Sequence, residues 1–225
     1  MNVINGKRGW MKMRDKYMKQ LENLNNNMIE MGAMIEKSIE NAISALVRQD
    51  VETAKKAIEY DAEIDEMEKN IENMCMKILL SQQPVASDLR TVSSALKMVT
   101  DMERIGDHAA DISEITIMMA DKPYRCKLEK IEKMAKETMI MLVQSIESYV
   151  NKDIEKAKAV INHDDIVDGL FDEVKKALIV AIKDDDEDGE QMADLLMVAK
   201  YLERIGAILI QYQKFRFSKQ CHCNA

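Results

Sequence analysis

Apolar residues recur along this chain at alternating steps of three and four positions. One such row includes Leu21, Leu24 and Met28, and similar rows continue through most of the sequence. This spacing places apolar side chains on one face of an α-helix. Rows that continue over so many residues are typical of helices packed side by side in a bundle. The pattern predicts helices at about 13–49, 52–82 and 85–121 in the first half and at about 126–151, 154–183 and 188–216 in the second.

The two halves of the chain repeat each other. Residues 50–65 (DVETAKKAIEYDAEID) align with residues 153–168 (DIEKAKAVINHDDIVD), and residues 101–107 (DMERIGD) align with residues 201–207 (YLERIGA). The first alignment has an offset of 103 residues and the second an offset of 100, and such self-similarity indicates a repeated structural unit. The repeat and the periodicity predict an all-α fold of two pseudo-symmetric, antiparallel three-helix bundles.

The predicted division of the chain follows from this repeat. The helix–helix connections contain the only two prolines, Pro84 and Pro123, and a polar loop at 184–189. No Gly/Ser/Pro-rich linker separates the halves, so we expect them to pack on each other. The predicted units are an N-terminal extension (1–12), a first repeat (13–122), a second repeat (123–216) and a C-terminal tail (217–225).

Acidic residues interrupt the otherwise apolar rows. Asp61 lies in the row of the second predicted helix and Glu103 in the row of the third. Each has an acidic companion four positions later, Asp65 and Asp107. Positions i and i+4 share a helix face, so each helix presents a pair of carboxylates.

An antiparallel hairpin brings these two pairs to the same level. Asp61 and Asp107 are equally far from Pro84 along the chain, as are Asp65 and Glu103, so the pairs face each other if the turn lies at Pro84. The second half repeats the arrangement with three carboxylates and an alanine: Asp164, Asp168, Glu203 and Ala207. The sequence therefore predicts a four-carboxylate site and a weaker, incomplete copy of it.

Carboxylates held at one level repel each other and require protons, basic partners or a metal ion. Oxygen-only ligands favour magnesium, manganese, iron or calcium over zinc or copper. The alternative is that the acids lie at the edge of the row and pair with Arg104, Lys69 or solvent. Glu36 and Glu40 of the first predicted helix are further candidates, because they are level with Asp65 and Asp61.

Composition narrows the functional class. The net charge is -8, which argues against nucleic acid as the main partner. The four cysteines show no framework spacing, so free thiols in a reducing cytoplasm are expected. No apolar stretch is long enough to span a membrane and no signal peptide is recognised, so any membrane association is expected to be indirect.

Enzymatic activity is not expected from the residues present. Carboxylate clusters in helical bundles also form di-iron oxidase sites, but these use Glu-x-x-His motifs. None of the three histidines, His108, His163 and His222, has a glutamate three positions before it. No nucleophile–base set or phosphate-binding glycine loop is recognised either. Cys221, His222 and Cys223 could hold a soft metal, but three ligands near the end of the chain make a weak site.

Three segments resemble the PhoU family of phosphate-uptake regulators. They are residues 13–32 (MRDKYMKQLENLNNNMIEMG), residues 79–114 (LLSQQPVASDLRTVSSALKMVTDMERIGDHAADISE) and residues 201–206 (YLERIG). The resemblance extends from Met13 to about Tyr212. It implies two three-helix bundles and a regulatory, non-enzymatic role as a phosphate-specific transport system accessory protein.

The resemblance also implies cofactors and partners. Family motifs that hold clusters of iron or another metal are similar to Asp61–Asp65 with Glu103–Asp107 at a first site, and to Asp164–Asp168 with Glu203 at a second. The family has Asp where this chain has Ala207, which puts the second site in doubt. The expected role is negative regulation of the phosphate-starvation response, through a sensor histidine kinase and the ATPase subunit of the phosphate ABC transporter. A homodimer is expected. The alternative is a helical scaffold without a functional metal site.

Overall fold

The computed structural model describes the backbone of residues 2–81, 86–184 and 189–221 and the side chains of residues 14–80, 89–182 and 189–214. Within those residues all regular structure is α-helical, and no helix has an apolar stretch long enough to cross a membrane. The helices are Asn2–Arg48 (α1), Val51–Ser81 (α2), Ala86–Met118 (α3), Glu129–Asn151 (α4), Ile154–Asp184 (α5) and Gly189–Cys221 (α6).

The predicted helices are present, but the predicted start of the first helix and the predicted end of the last helix are wrong. The first helix begins at Asn2 rather than at 13, and the last ends at Cys221 rather than at 216. Neither segment contains proline, so no residue there is obliged to break a helix. The predicted turn at Pro84 and most of the predicted loop at 184–189 lie outside the described residues. The division into extension, repeats and tail stays a prediction.

The helices form two three-helix bundles joined side by side. Helices α1, α2 and α3 all pack against one another, and so do α4, α5 and α6. The bundles meet along two seams, where α1 packs on α4 and α3 packs on α6. This arrangement confirms the predicted fold of paired three-helix bundles.

The internal repeat is visible at the ends of equivalent helices. Gln49 after α1 and Lys152 after α4 both have a left-handed backbone, with φ of 52° and 54°. The next residue in each half caps the following helix: Oδ1 of Asp50 accepts hydrogen bonds from the backbone N–H groups of Glu52 and Thr53, and Oδ1 of Asp153 accepts one from Lys156. In both halves the left-handed residue ends one helix, and the carboxylate that follows it caps the start of the next.

The core is continuous across the two bundles at Gly32 of α1. A Cβ atom added there would lie 2.1 Å from Cδ1 of Ile146 in α4 and 3.9 Å from Cε of Met102 in α3. Met102 and Ile146 are both buried. The missing side chain at Gly32 thus lets helices of the two halves approach closely.

Truncating Met102 should destabilise both halves together. We expect Met102→Ala to lower the free energy of unfolding by about 2–5 kcal/mol, because it removes buried atoms and leaves a cavity where α1, α3 and α4 meet. Urea denaturation followed by circular dichroism measures the change. Met118, a methionine near the end of the same helix that is 68% exposed, provides the control: Met118→Ala should change stability little. Equal effects of the two substitutions would contradict the expectation.

Candidate metal site on the α2/α3 and α5/α6 hairpins

The two hairpins α2/α3 and α5/α6 cross at a glycine opposite an aspartate. A Cβ atom added to Gly106 would lie 3.1 Å from Oδ1 of Asp61, and one added to Gly206 would lie 3.1 Å from Oδ1 of Asp164. Each glycine lets the helices approach at the level where the carboxylates lie. The level pairing deduced from the turn positions is therefore present in both halves.

The first cluster consists of the half-buried Asp61, Asp65 and Glu103 with the exposed Asp107. Burial, followed by the nearby charges of Asp107 and Asp65, raises the pKa of Asp61 to about 6. Burial and the same two neighbours, with Glu68 and Asp61, raise the pKa of Glu103 to about 7. The structure thus brings the four predicted residues within electrostatic reach of one another, without enough positive charge to balance them.

Two further acidic residues belong to this cluster and were not predicted from the sequence. Glu68, one turn beyond Asp65 on α2, contributes to the raised pKa of Glu103. Asp111, one turn beyond Asp107 on α3, contributes to the raised pKa of Asp61 and of Asp107. Extending each acidic pair by one more helical turn would have found both residues.

Positive charge reaches only the outer edge of the first cluster. The pKa of Asp107 is raised by burial and by the charges of Asp65 and Asp111, while His108 and Arg104 oppose this rise. Arg104 is exposed, as expected for a residue that offsets charge at the surface. No ion pair to Asp61 or Glu103 occurs among the described residues.

A histidine contact connects this edge to the second half. The imidazole of His108 lies 5.2 Å from the ring of Tyr201 in α6, measured between centroids, and its Nδ1 atom is 3.4 Å from Oδ2 of Asp111. Asp111 also interacts with the hydroxyl of Tyr201. His108 therefore lies in the α3/α6 seam, between the halves.

The second cluster has a different charge balance. Burial and the charges of Asp168, Asp165 and Glu203 raise the pKa of Asp164 to about 6, and burial also raises the pKa of Asp168. Nζ of Lys200, however, lies 2.5 Å from Oε2 of Glu203. In the first half the position equivalent to Lys200 is Thr100.

Other positions of the second half also lack the acidic residues that the first half has. Ala207 is exposed and stands where the first half has Asp107. Phe171 and Gln211 stand at the positions that correspond to Glu68 and Asp111. The second half thus keeps three of the predicted carboxylates but neutralises one of them internally.

The donor chemistry of the first cluster fits a hard cation. Oδ1 of Asp61 is buried and has no hydrogen-bond partner, which is costly for a carboxylate oxygen unless a proton or a cation offsets its charge. In the conformation described, no three Asp, Glu, His or Cys side chains converge closely enough to hold one metal ion, across the residues that the structure covers. Binding would therefore require side chains to rotate toward a shared ion.

Other candidate ligands lie elsewhere. Glu36 and Glu40 line grooves between α1 and α4, away from the α2/α3 carboxylates, so the idea that they complete the first site is wrong. Their position follows from the packing of α1 on α4, which the repeat alone did not reveal. The Cys221–Cys223 tail lies outside the residues whose side chains are described.

Comparison with known proteins decides the family. The family model described as the PhoU domain matches the chain twice, over residues 28–116 and 131–211. The chain belongs to the PhoU family. It is 37% identical over 187 residues to the phosphate-specific transport system accessory protein PhoU homolog of Clostridium acetobutylicum, which covers 83% of this chain and 85% of the relative.

Solved PhoU structures have the same fold. The crystal structure of PhoU from Pseudomonas aeruginosa matches with a TM-score of 0.84 and 26% sequence identity, covering 89% of this chain and 96% of that one. The phosphate transport system regulatory protein PhoU from Streptococcus pneumoniae matches with a TM-score of 0.80 and 25% identity, covering 88% and 93%. The predicted family and all-α PhoU fold are confirmed, and these relatives are described as accessory or regulatory proteins of phosphate transport.

Proposed function

We propose that this protein is a regulatory accessory protein of phosphate-specific transport whose first acidic cluster binds a metal ion. The proposed role is negative regulation of the phosphate-starvation response. The observation that carries the metal assignment is the buried, unpaired Oδ1 of Asp61 beside carboxylates whose pKa values are raised by burial and mutual repulsion. Iron, manganese or magnesium suits an oxygen-only donor set.

The metal ligands would come from the two acidic clusters. Asp61, Asp65, Glu103 and Asp107 would supply the oxygen ligands at the first site. Asp164, Asp168 and Glu203 would do so, more weakly, at the second. A bound cation offsets the repulsion between α2 and α3 and holds the two helices at a fixed separation. It would also leave coordination positions open on an exposed face, where carboxylates of a partner can bind the metal ion directly.

The proposed partners are a sensor histidine kinase and the ATPase subunit of the phosphate ABC transporter. Membership of a family named for phosphate-specific transport supports association with the transport system. In this proposal the metal face is an interaction surface and not a reaction centre, so the protein is not an enzyme. A homodimer remains part of the proposal.

Removing two ligands tests the link between metal and partner. We expect Asp61→Ala combined with Glu103→Ala to keep the helical circular dichroism spectrum, lose metal at the first site and weaken partner binding by about tenfold or more. Elemental analysis of protein purified without chelator measures the metal. A pull-down with membranes that contain the transporter and the kinase measures partner binding.

The second candidate is a helical scaffold without a functional metal site. It is favoured by the absence of three converging ligands in the described conformation. Under this alternative the double variant binds partners as well as the parent protein, and the parent carries no metal. If the parent carries metal but the folded, metal-free variant still binds partners fully, the metal is a structural cross-link between α2 and α3.

A further inference from the structure

The seam between α1 and α4 contains two grooves that are equivalent by the internal repeat. The first is lined by Ile29, Gly32, Glu36, Val143, Ile146 and Glu147 among others, and encloses about 370 Å³. The second encloses about 300 Å³ and is lined by the residues that lie 103 positions away in the other half. The second groove is therefore an internal reference for the first.

The two grooves differ in polarity. Ile29 is 47% exposed and Val143 is 36% exposed in the first groove, whereas the equivalent positions in the second are Glu132 and Glu40. The first groove also has Gly32 in place of Ala135, and the side chain of Ile146 occupies the space that a Cβ atom at Gly32 would take. The chain thus leaves apolar side chains open to solvent in one groove and replaces them with glutamates in the other.

The two grooves also differ in charge. Arg48 and Lys136 line the second groove beside its two glutamates. The first groove has Asn151 and Ala33 at those positions, so its lining contains Glu36 and Glu147 and no lysine or arginine. Glu147 is 2.6 Å from Nζ of Lys156, and Glu36 remains on the rim without an ion pair among the described residues. The first groove is consequently apolar at its centre and acidic at its edge.

We propose that the first groove is a docking site for an amphipathic helix of a partner protein that carries lysine or arginine beside its apolar row. A helix suits a groove between two antiparallel helices, where its apolar side chains can cover Ile29 and Val143. Its cations complement the acidic rim and would be repelled by Arg48 and Lys136 in the second groove. This surface is formed by α1 and α4, whereas the acidic clusters lie on α2, α3, α5 and α6, so the proposal does not depend on metal.

Two synthetic helical peptides test the proposal on the full chain. Both carry the same row of leucines, one with lysines beside the row and the other with glutamates. Fluorescence anisotropy should show that the lysine peptide binds at least about tenfold more tightly than the glutamate peptide. Glu36→Lys should abolish or reverse this preference, because it changes the sign of the rim charge.

A matched pair of variants locates the binding. Ile29→Glu with Val143→Glu gives the first groove the residues that the second groove already has, and should weaken binding of the lysine peptide by about tenfold or more. Met139→Glu likewise replaces an apolar residue that lines the second groove with glutamate, and should leave binding unchanged because Arg48 and Lys136 remain in that groove. Circular dichroism checks the fold, and Glu36→Lys provides an independent result if the double variant unfolds.

Three outcomes would overturn the proposal. One is equal affinity for the two peptides. Another is unchanged binding of the lysine peptide to the folded Ile29→Glu, Val143→Glu variant. The third is a dimer in sedimentation velocity that this variant dissociates, because a second copy would then be the occupant of the groove.

Discussion

The metal-free protein should become more stable to unfolding as the pH is lowered from about 8 to about 5. The pKa of Asp61 is raised to about 6 and that of Glu103 to about 7 in the folded state. In this window the folded protein therefore binds more protons than the unfolded chain, so the free energy of unfolding falls as the pH rises. This loss of stability begins as the pH rises above the ordinary carboxyl pKa, and it is complete above about pH 7.

The expected size of this effect is on the order of 2 kcal/mol. Each pKa unit corresponds to about 1.4 kcal/mol, but both side chains are partly exposed, so the full shift is discounted for solvent screening. Urea denaturation in chelator at several pH values measures it. Asp61→Asn with Glu103→Gln is the control, because it removes the charges while keeping similar shapes. That variant should be more stable than the parent at pH 8 and should show a flatter pH profile.

Metal should remove the same pH dependence. If a cation occupies the first cluster, the carboxylates remain ionised without penalty and stability at pH 8 rises. A parent protein whose stability is constant or increases between pH 5 and 8 in chelator would contradict the mutual repulsion at Asp61 and Glu103. Identical pH profiles for parent and neutralised variant would place the titrating groups elsewhere in the molecule.

The sequence correctly predicted those features that depend only on the spacing of residues along one helix or one hairpin. The three–four spacing and the repeat located all six helices. The distances from Pro84 placed Asp61 opposite Asp107, which is the neighbour of the Gly106 found opposite Asp61 in the structure. These inferences need only helix geometry and an antiparallel hairpin. Glu68 and Asp111 could have been found in the same way, because they continue the acidic faces by one turn.

The sequence was less informative about contacts between helices distant along the chain. Glu36 and Glu40 are level with the acidic pairs, but level does not determine the direction in which a helix faces, and α1 turns them toward α4. The contact of His108 with Tyr201 likewise depends on the packing of α3 on α6. The outer ends of α1 and α6 were wrong because a helix without a breaker has no local signal that ends it.

The two acidic clusters should differ strongly in metal affinity. The first has four predicted ligands with Glu68 and Asp111 beside them, whereas Ala207 removes one ligand from the second. Lys200 additionally forms an ion pair with Glu203, so a metal ion there would compete with an ammonium group. We expect the first site to bind metal about 10–100-fold more tightly than the second. Equal occupancy, or metal only at the second site, would contradict this order.

Converting the second cluster into a copy of the first is the more demanding test. Ala207→Asp restores the missing carboxylate, and Lys200→Thr introduces the residue found at the equivalent Thr100 and frees Glu203. Together they should raise the affinity of the second site by about 10–100-fold, so that calorimetry and elemental analysis detect a second bound equivalent.

The single variants separate ligand number from charge competition at the second site. Ala207→Asp alone adds a ligand while the Lys200–Glu203 pair persists, so its gain should be smaller than that of the double variant. Lys200→Thr alone leaves three carboxylates with less compensation, so in chelator it should lower stability at pH 8. If the second site of the double variant stays empty while the first site is filled, the α5/α6 hairpin cannot rearrange around an ion. The asymmetry would then arise from the packing of the second bundle rather than from its missing ligand.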